Sequence, residues 1–249
     1  MRNWSLELSP ESHDPAVRKA QEGEPAYSNE QFEEVVREAL RLRCTRIDVF
    51  FMIGMPHQTY QSVQDTAAYC EHLFEISDRR LSCFISPMGP FLDPGSRVFE
   101  SPEAFGYRVF ARSLEDHRRL LVEPSWEKIL SYETQWMTRS ELVDATYDAA
   151  DRLNQAKLKY GRVSKRRGET VARRIREARE LRAKLATGED TGRLQGEIDR
   201  FSQSTVCDKR ELFWARHLIN FKIAGVIRTV GRYWFGAAAP TLTPPTEPA

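Results

Sequence analysis

The segment Ile47-Asp48-Val49-Phe50-Phe51-Met52-Ile53-Gly54-Met55-Pro56-His57-Gln58-Thr59 decides how the chain folds. Its first half is a nearly continuous apolar run, β-branched and aromatic, and too short for an ordinary helix once Gly54 and Pro56 interrupt it. That predicts a strand buried on both faces, as in a parallel sheet. Gly54 and Pro56 punctuate the run, and a helix-patterned segment starts at Thr59. Strand, glycine-containing loop and helix make half of a βαβ unit. In parallel α/β folds the loop at the carboxyl end of a strand is where ligands bind. Taken alone, Gly54-Met55-Pro56 reads equally well as turn punctuation.

Working outward, Trp4 to Leu8 alternates apolar and polar residues and predicts a strand. Asp14-Pro15 reads as a helix cap followed by a first-turn proline, opening a short helix to about Gln21. Ser28 to Arg43 is a clear amphipathic helix, with Phe32, Val35, Val36, Ala39, Leu40 and Leu42 on its apolar face. After the central strand come a helix from Thr59 to about Ile76 and a third strand, Leu81 to Ile85. The order β-α-β-α-β implies three parallel strands joined by right-handed crossovers. An irregular segment from Pro87 to about Gly106 follows, with a turn at Asp93-Pro94-Gly95-Ser96.

From Tyr107 the periodicity is helical, predicting helices over 107–121, 125–132, 140–160, 164–186, 191–201 and 208–235. Residues 237–249 are rich in Pro and Thr, without apolar pattern, and are expected to be disordered. The expected organisation is an α/β part over 1–106, an all-α part over 107–236 and a tail over 237–249.

The chain of 249 residues is 41% hydrophobic with a formal net charge of +1, so it can bury a core and shows no charge bias towards a partner. Cys44, Cys70, Cys83 and Cys207 are scattered, without CxxC spacing, and read as free thiols of a reducing compartment. The start carries Glu7 where a signal sequence would be apolar. No apolar run reaches the ~20 residues that span a bilayer. The expected location is cytoplasmic.

Few chemical motifs stand out. His13, His57, His72, His117 and His217 form no i,i+4 pair, so no metal site is expected. There is no GxSxG elbow and no glycine-rich phosphate loop, and the catalytic residues stay unassigned. Residues 157–184 are strongly basic, including Lys165-Arg166-Arg167, Arg173-Arg174, Arg176, Arg179 and Arg182. Such a face can bind phosphates, but it lacks the interleaved aromatics that single strands need. A solvated face or pairing with neighbouring helices is the commoner outcome, so nucleic acid is not the expected partner. The helix over 212–235 is apolar, aromatic and basic. Packing on protein is its default role, and a peripheral contact with an anionic membrane surface is the alternative.

Three spaced pieces resemble one family. Leu6-Glu7-Leu8-Ser9-Pro10-Glu11-Ser12-His13-Asp14-Pro15-Ala16-Val17-Arg18 is similar to the fourth-strand segment of the radical S-adenosylmethionine (radical SAM) barrel. Phe51-Met52-Ile53-Gly54-Met55-Pro56-His57-Gln58-Thr59 resembles its fifth-strand IGxPxQT segment. Ser86-Pro87-Met88 through Asp93-Pro94-Gly95-Ser96 resembles the sixth strand and its PGS/PGT turn. Residues 1–135 thus look like the second half of such a barrel, in the type that carries a cobalamin-binding domain. The family's CxxxCxxC loop, whose thiolates hold a four-iron–four-sulfur cluster, has no counterpart here. The resemblance therefore implies a partial (β/α) barrel of three parallel strands followed by an all-α domain. The chain would be a C-terminal fragment whose partner is the missing N-terminal half of the barrel, on the same polypeptide or a separate chain. It would form part of a SAM and substrate site and be inactive alone.

The resemblance also implies roles for individual residues. Glu7, Ser9, Glu11 and Ser12 would hydrogen-bond the ribose or methionyl part of S-adenosylmethionine. Ile53, Gly54 and Met55 would approach the adenine, since Gly54 has no Cβ to obstruct it, and Met88 and Gly89 would complete that wall. His57 and Gln58 would touch substrate. Cluster and cobalamin would belong to the intact enzyme, with ligands outside this chain. Each residue also has a plain reading: Ser12 as a cap, Glu11 as a solvated charge, and Gln58-Thr59 as a helix start. The competing function is a non-catalytic basic helical module that binds nucleic acid or an anionic membrane surface.

Overall fold

The computed structural model describes residues 4–20, 27–87, 91–187 and 191–205. Met1–Ile198 forms one compact unit. Asp199–Ala249 forms a second, of which only the end of one helix is described. The predicted helix over 208–235, the tail and Cys207 lie outside the described residues.

The first half alternates as its periodicity predicts: β1 Ser5–Glu11, α1 Pro15–Lys19, α2 Asn29–Arg41, β2 Arg46–Ile53, α3 Tyr60–Glu75 and β3 Leu81–Pro87. The three strands form one parallel sheet in the order β1-β2-β3. Local chemistry sets the helix ends. Ser28 and Gln31 form a reciprocal capping box at the start of α2. At its end Arg43 turns left-handed, and the Cys44 amide donates to the Ala39 carbonyl. Thr59 caps α3 by accepting from the Ser62 amide.

Both helices cover the same face of the sheet. Ile47, Val49 and Phe51 of β2 and Cys83 of β3 pack with Val36 and Ala39 of α2 and Cys70, Leu73 and Phe74 of α3. The three described cysteines are free thiols buried in or beside this core. The opposite face carries the alternate residues, as a period of two requires.

The second half differs from its helical expectation between Tyr107 and Thr134. Tyr107–Val109 and Tyr132–Thr134 are short strands, β4 and β5, paired antiparallel with Tyr107 opposite Thr134. Only Leu114–Leu121 (α5) and Trp126–Ile129 (α6) of this stretch are α-helical; before it, α4 spans Arg97–Glu100 and a 3₁₀ turn Pro102–Phe105. Three-residue strands are too short to show a period, and their pairing spans a loop that local pattern cannot see. The later helices follow the prediction: α7 Arg139–Lys159, α8 Lys165–Ala186 and α9 Thr191–Thr205.

Elements on both sides of residue 106 share a second core. Ile53, Val63 and Ala67 meet Tyr107, Leu130, Tyr132, Leu142, Val143, Ala145 and Ala149 there. It sits at the carboxyl end of β2 and fixes α7 against α3. No helix of the described residues is long and apolar enough to cross a membrane.

Candidate functional site

In a parallel sheet the carboxyl strand ends are the natural place for a ligand, and backbone irregularities gather there. The β1–β2 register slips between Leu8 and Glu11, the mark of a bulge. Glu11 has φ 64° and His57, just past β2, has φ 62°. Left-handed backbone is uncommon for residues with a Cβ and often accompanies function. Arg43 shares that φ but sits at a helix C-terminus, where it is ordinary.

The loop after β1 is tied internally. Ser12 is fully buried; its hydroxyl accepts from the Asp14 amide at 3.1 Å, and its carbonyl accepts from Arg18 Nη1 at 2.8 Å. Arg18, itself buried, also donates to Asn29 and to the Tyr27 carbonyl. Asp14, not Ser12, caps α1, accepting from the Ala16 amide at 2.8 Å. Ser12 therefore holds the loop, whereas Glu7 and Ser9 stand exposed on β1 and Glu11 is half-buried.

The loop after β2 is closed by Gln58. Its Oε1 accepts from the Gly54 amide at 2.8 Å and the Met55 amide at 3.2 Å, while its Nε2 donates to the Met52 carbonyl at 3.0 Å. Gln58, Ile53, Gly54 and Met55 are all buried. Gly54 adopts φ 93°; a Cβ there would lie 3.1 Å from the Tyr132 hydroxyl and 3.6 Å from Leu142. The Tyr107 hydroxyl donates to the Gly54 carbonyl at 2.6 Å. The space that the missing Cβ leaves is thus occupied by the β4–β5 strand pair and α7. His57 is exposed, its ring centroid 4.5 Å from that of Trp136. Met88 and Gly89 lie outside the described residues.

Asp48 and Ser82, to which the sequence assigns no role, join Glu7 in giving the sheet its chemical face. Register aligns Glu7, Asp48 and Ser82 in one row across β1, β2 and β3, on the side away from α2 and α3. Asp48 is 4% exposed; its Oδ2 lies 2.6 Å from Arg46 Nε, and its buried Oδ1 has no hydrogen-bond partner. Further along this face Phe50 and Phe84 stack at 5.0 Å between centroids. An acid inside an apolar strand run was the available signal for Asp48. The partner strands that decide its neighbours are remote in sequence.

Burial lowers the pKa of His13, whose Nδ1 lies 2.8 Å from the Thr66 hydroxyl. Among the described residues no three metal-ligating side chains converge. The basic helix α8 turns part of its charge inward. Arg179 pairs with Asp148, and Arg182 with Glu127 and Asp144 as well as the Ser140 hydroxyl. A scan against models of known protein families gives no match, and no curated protein matches the sequence.

Proposed function

We propose that this chain is the C-terminal part of a radical S-adenosylmethionine enzyme, of the cobalamin-dependent type, and lends one wall to its cofactor and substrate site. The observation that carries the reading is the one-sided placement of the two crossover helices on the sheet. Three sequentially ordered parallel strands have both helices on one side, and the row Glu7-Asp48-Ser82 lies on the other. Sequential order with helices on one face is the arrangement of a barrel arc, in which the opposite face looks inward.

Chemistry supports the same assignment. The methionyl ammonium, the sulfonium and the ribose hydroxyls of S-adenosylmethionine call for acceptors and negative charge, which the exposed Glu7 and Ser9 offer, and Asp48, bridged by Arg46 through Oδ2, adds its unpartnered Oδ1. Because Tyr132 fills the space before Gly54, the cofactor would lie on the strand face at Glu7, Ser9, Asp48 and Met52. The glycine would keep its role of permitting the turn. The described cysteines do not suit the iron–sulfur cluster: Cys44, Cys70 and Cys83 are buried in or beside the helix-facing core. Cluster ligands would come from other polypeptide, whose packing surface this reading places beside β1. There a groove of about 690 Å³ includes Trp4, Leu6, Val35 and Leu42, and Val35 and Leu42 are half exposed.

The test has two arms. The DNA upstream of the first codon is expected to encode an in-frame CxxxCxxC within ~150 codons, the scale of the absent half-barrel. Joined to that polypeptide, the chain is expected to bind S-adenosylmethionine, and Glu7→Gln and Asp48→Asn to weaken the binding roughly tenfold each. An upstream frame without the motif, or binding indifferent to both substitutions, overturns the proposal.

A further inference from the structure

A groove of about 630 Å³ lies between helices α7 and α8 and the part of the sheet that carries Phe50, Ser82 and Phe84. Its size is that of a small-molecule site. Arg46, Lys157, Arg162 and Arg167 line it, and no carboxylate does. Asp48, the acid that bears on Lys157, is already bridged by Arg46.

Among the described residues Lys157, Arg162 and Arg167 form no ion pair, and Asp78, the acid that bears on Arg162, is bridged by Arg80. Among the described residues the Lys157 ammonium makes no hydrogen bond or ion pair; its contact is with the Phe84 ring, 4.7 Å from the centroid. Burial lowers its pKa, and the charge of Arg167 lowers it further. Arg162 is anchored through Nη2, which donates to the carbonyls of Phe74 and Ser77 at 2.8 and 3.1 Å. Its Nε and Nη1 are buried without any acceptor. Lys157 and Arg167 therefore repel each other, and the buried edge of the Arg162 guanidinium is poorly solvated. A dianion offsets both costs and supplies the acceptor that the guanidinium fork lacks. The first two turns of α8, with Arg167 and Val171, border the groove and add the positive end of a helix dipole. Phe50, Phe84, Ile85, Val163 and Val171 give the remaining wall an apolar surface.

We propose that this groove binds a small organic phosphate, its phosphoryl group held by Lys157, Arg162 and Arg167 and its apolar part set against Phe50 and Phe84. All of these residues belong to the compact unit described above. The proposal therefore stands whether or not the radical reading does.

Phenyl phosphate, inorganic phosphate and benzyl alcohol are the probes, titrated calorimetrically into the full chain. Phenyl phosphate is expected to bind saturably and more tightly than the other two. Lys157→Met and Arg167→Gln should each weaken it about 10-fold or more, the worth of one charge-assisted hydrogen bond. Arg176→Gln, an exposed cation on α8 outside the groove, should leave it unchanged. Circular dichroism checks each fold, and Arg167→Gln, at an exposed position, carries the test should Lys157→Met not fold. Absence of saturable binding, or binding that the groove variants leave intact, overturns the site. Equal binding of inorganic phosphate overturns its assignment to an organic ligand.

Discussion

The Tyr107 hydroxyl donates to the Gly54 carbonyl at 2.6 Å, tying the β4–β5 strand pair to the turn that ends β2. Tyr107 is 3% exposed, and burial pushes its phenol far above the ordinary range, so it remains a donor at every physiological pH. Tyr107→Phe keeps the ring but leaves a buried carbonyl without its partner. The expected loss is about 1–3 kcal/mol, read as a lower urea midpoint with an unchanged slope.

Gly54 faces a second constraint, from Tyr132. Gly54→Ala must adopt φ 93° and fit its methyl 3.1 Å from the Tyr132 hydroxyl. Gly95 provides the comparison, with φ 85° but nothing within 4 Å of the place a methyl would take. Gly95→Ala should cost only the backbone strain, ~1–2 kcal/mol, whereas Gly54→Ala should cost more. Combining Gly54→Ala with Tyr132→Phe should recover part of the excess, measured as a thermodynamic cycle.

Gln58, itself fully buried, satisfies three backbone groups at once, two amides and one carbonyl. Gln58→Ala strands all of them. A loss of roughly 2–4 kcal/mol is expected, together with faster amide exchange at Gly54 and Met55. A residue that served only to contact substrate would leave both quantities unmoved.

The contrast between Gln58 and Tyr107 shows what the sequence could convey. Helices α2, α3, α7 and α8 were legible because each buries one face and repeats it with a fixed period, and strand β2 because its apolar run is nearly continuous and ends at Gly54. Gly54 was legible as a turn. What fills the space before it was not, because Tyr107 and Tyr132 belong to strands of three residues in a stretch whose local pattern mimics helix. Gln58 read as a helix start or a ligand contact because a side chain's target is set by loop closure, not by residue type. Asp48 was visible as an acid in an apolar run, but its neighbours Glu7 and Ser82 depend on register across three strands.

His13 gives the chain a pH dependence of known sign. Burial, opposed by Asp14 and Asp65, holds its pKa below the ordinary 6.5. The unfolded chain therefore binds a proton at a pH where the native chain does not. The stability involved is fully present above 6.5 and is lost as pH falls from there towards the native value. His13→Gln should flatten thermal unfolding midpoints between about pH 7 and 5 relative to the parent. A ring titration by NMR at or above the ordinary value would contradict the burial argument.

The α7–α8 contact offers a test in which the sign of an effect reverses. Gly168 lies in α8 with its Cβ position only 2.6–2.8 Å from the Leu158 side chain, and its carbonyl accepts from Asn154 Nδ2 at 3.0 Å. An alanine there gains helix propensity, worth ~1 kcal/mol over glycine. It must also displace Leu158 or lift α8 away, and overpacking of this kind costs ~1–3 kcal/mol. Because the clash reaches Leu158 Cγ and not just the methyl tips, the steric term should prevail and Gly168→Ala should destabilise the chain. In a Leu158→Ala background the obstruction is gone and only the propensity gain remains. The same Gly168→Ala substitution is then expected to stabilise by about 1 kcal/mol. Chemical denaturation of the four variants checks this, and the sign change, more than either magnitude, identifies close helix approach as the reason for a glycine at 168.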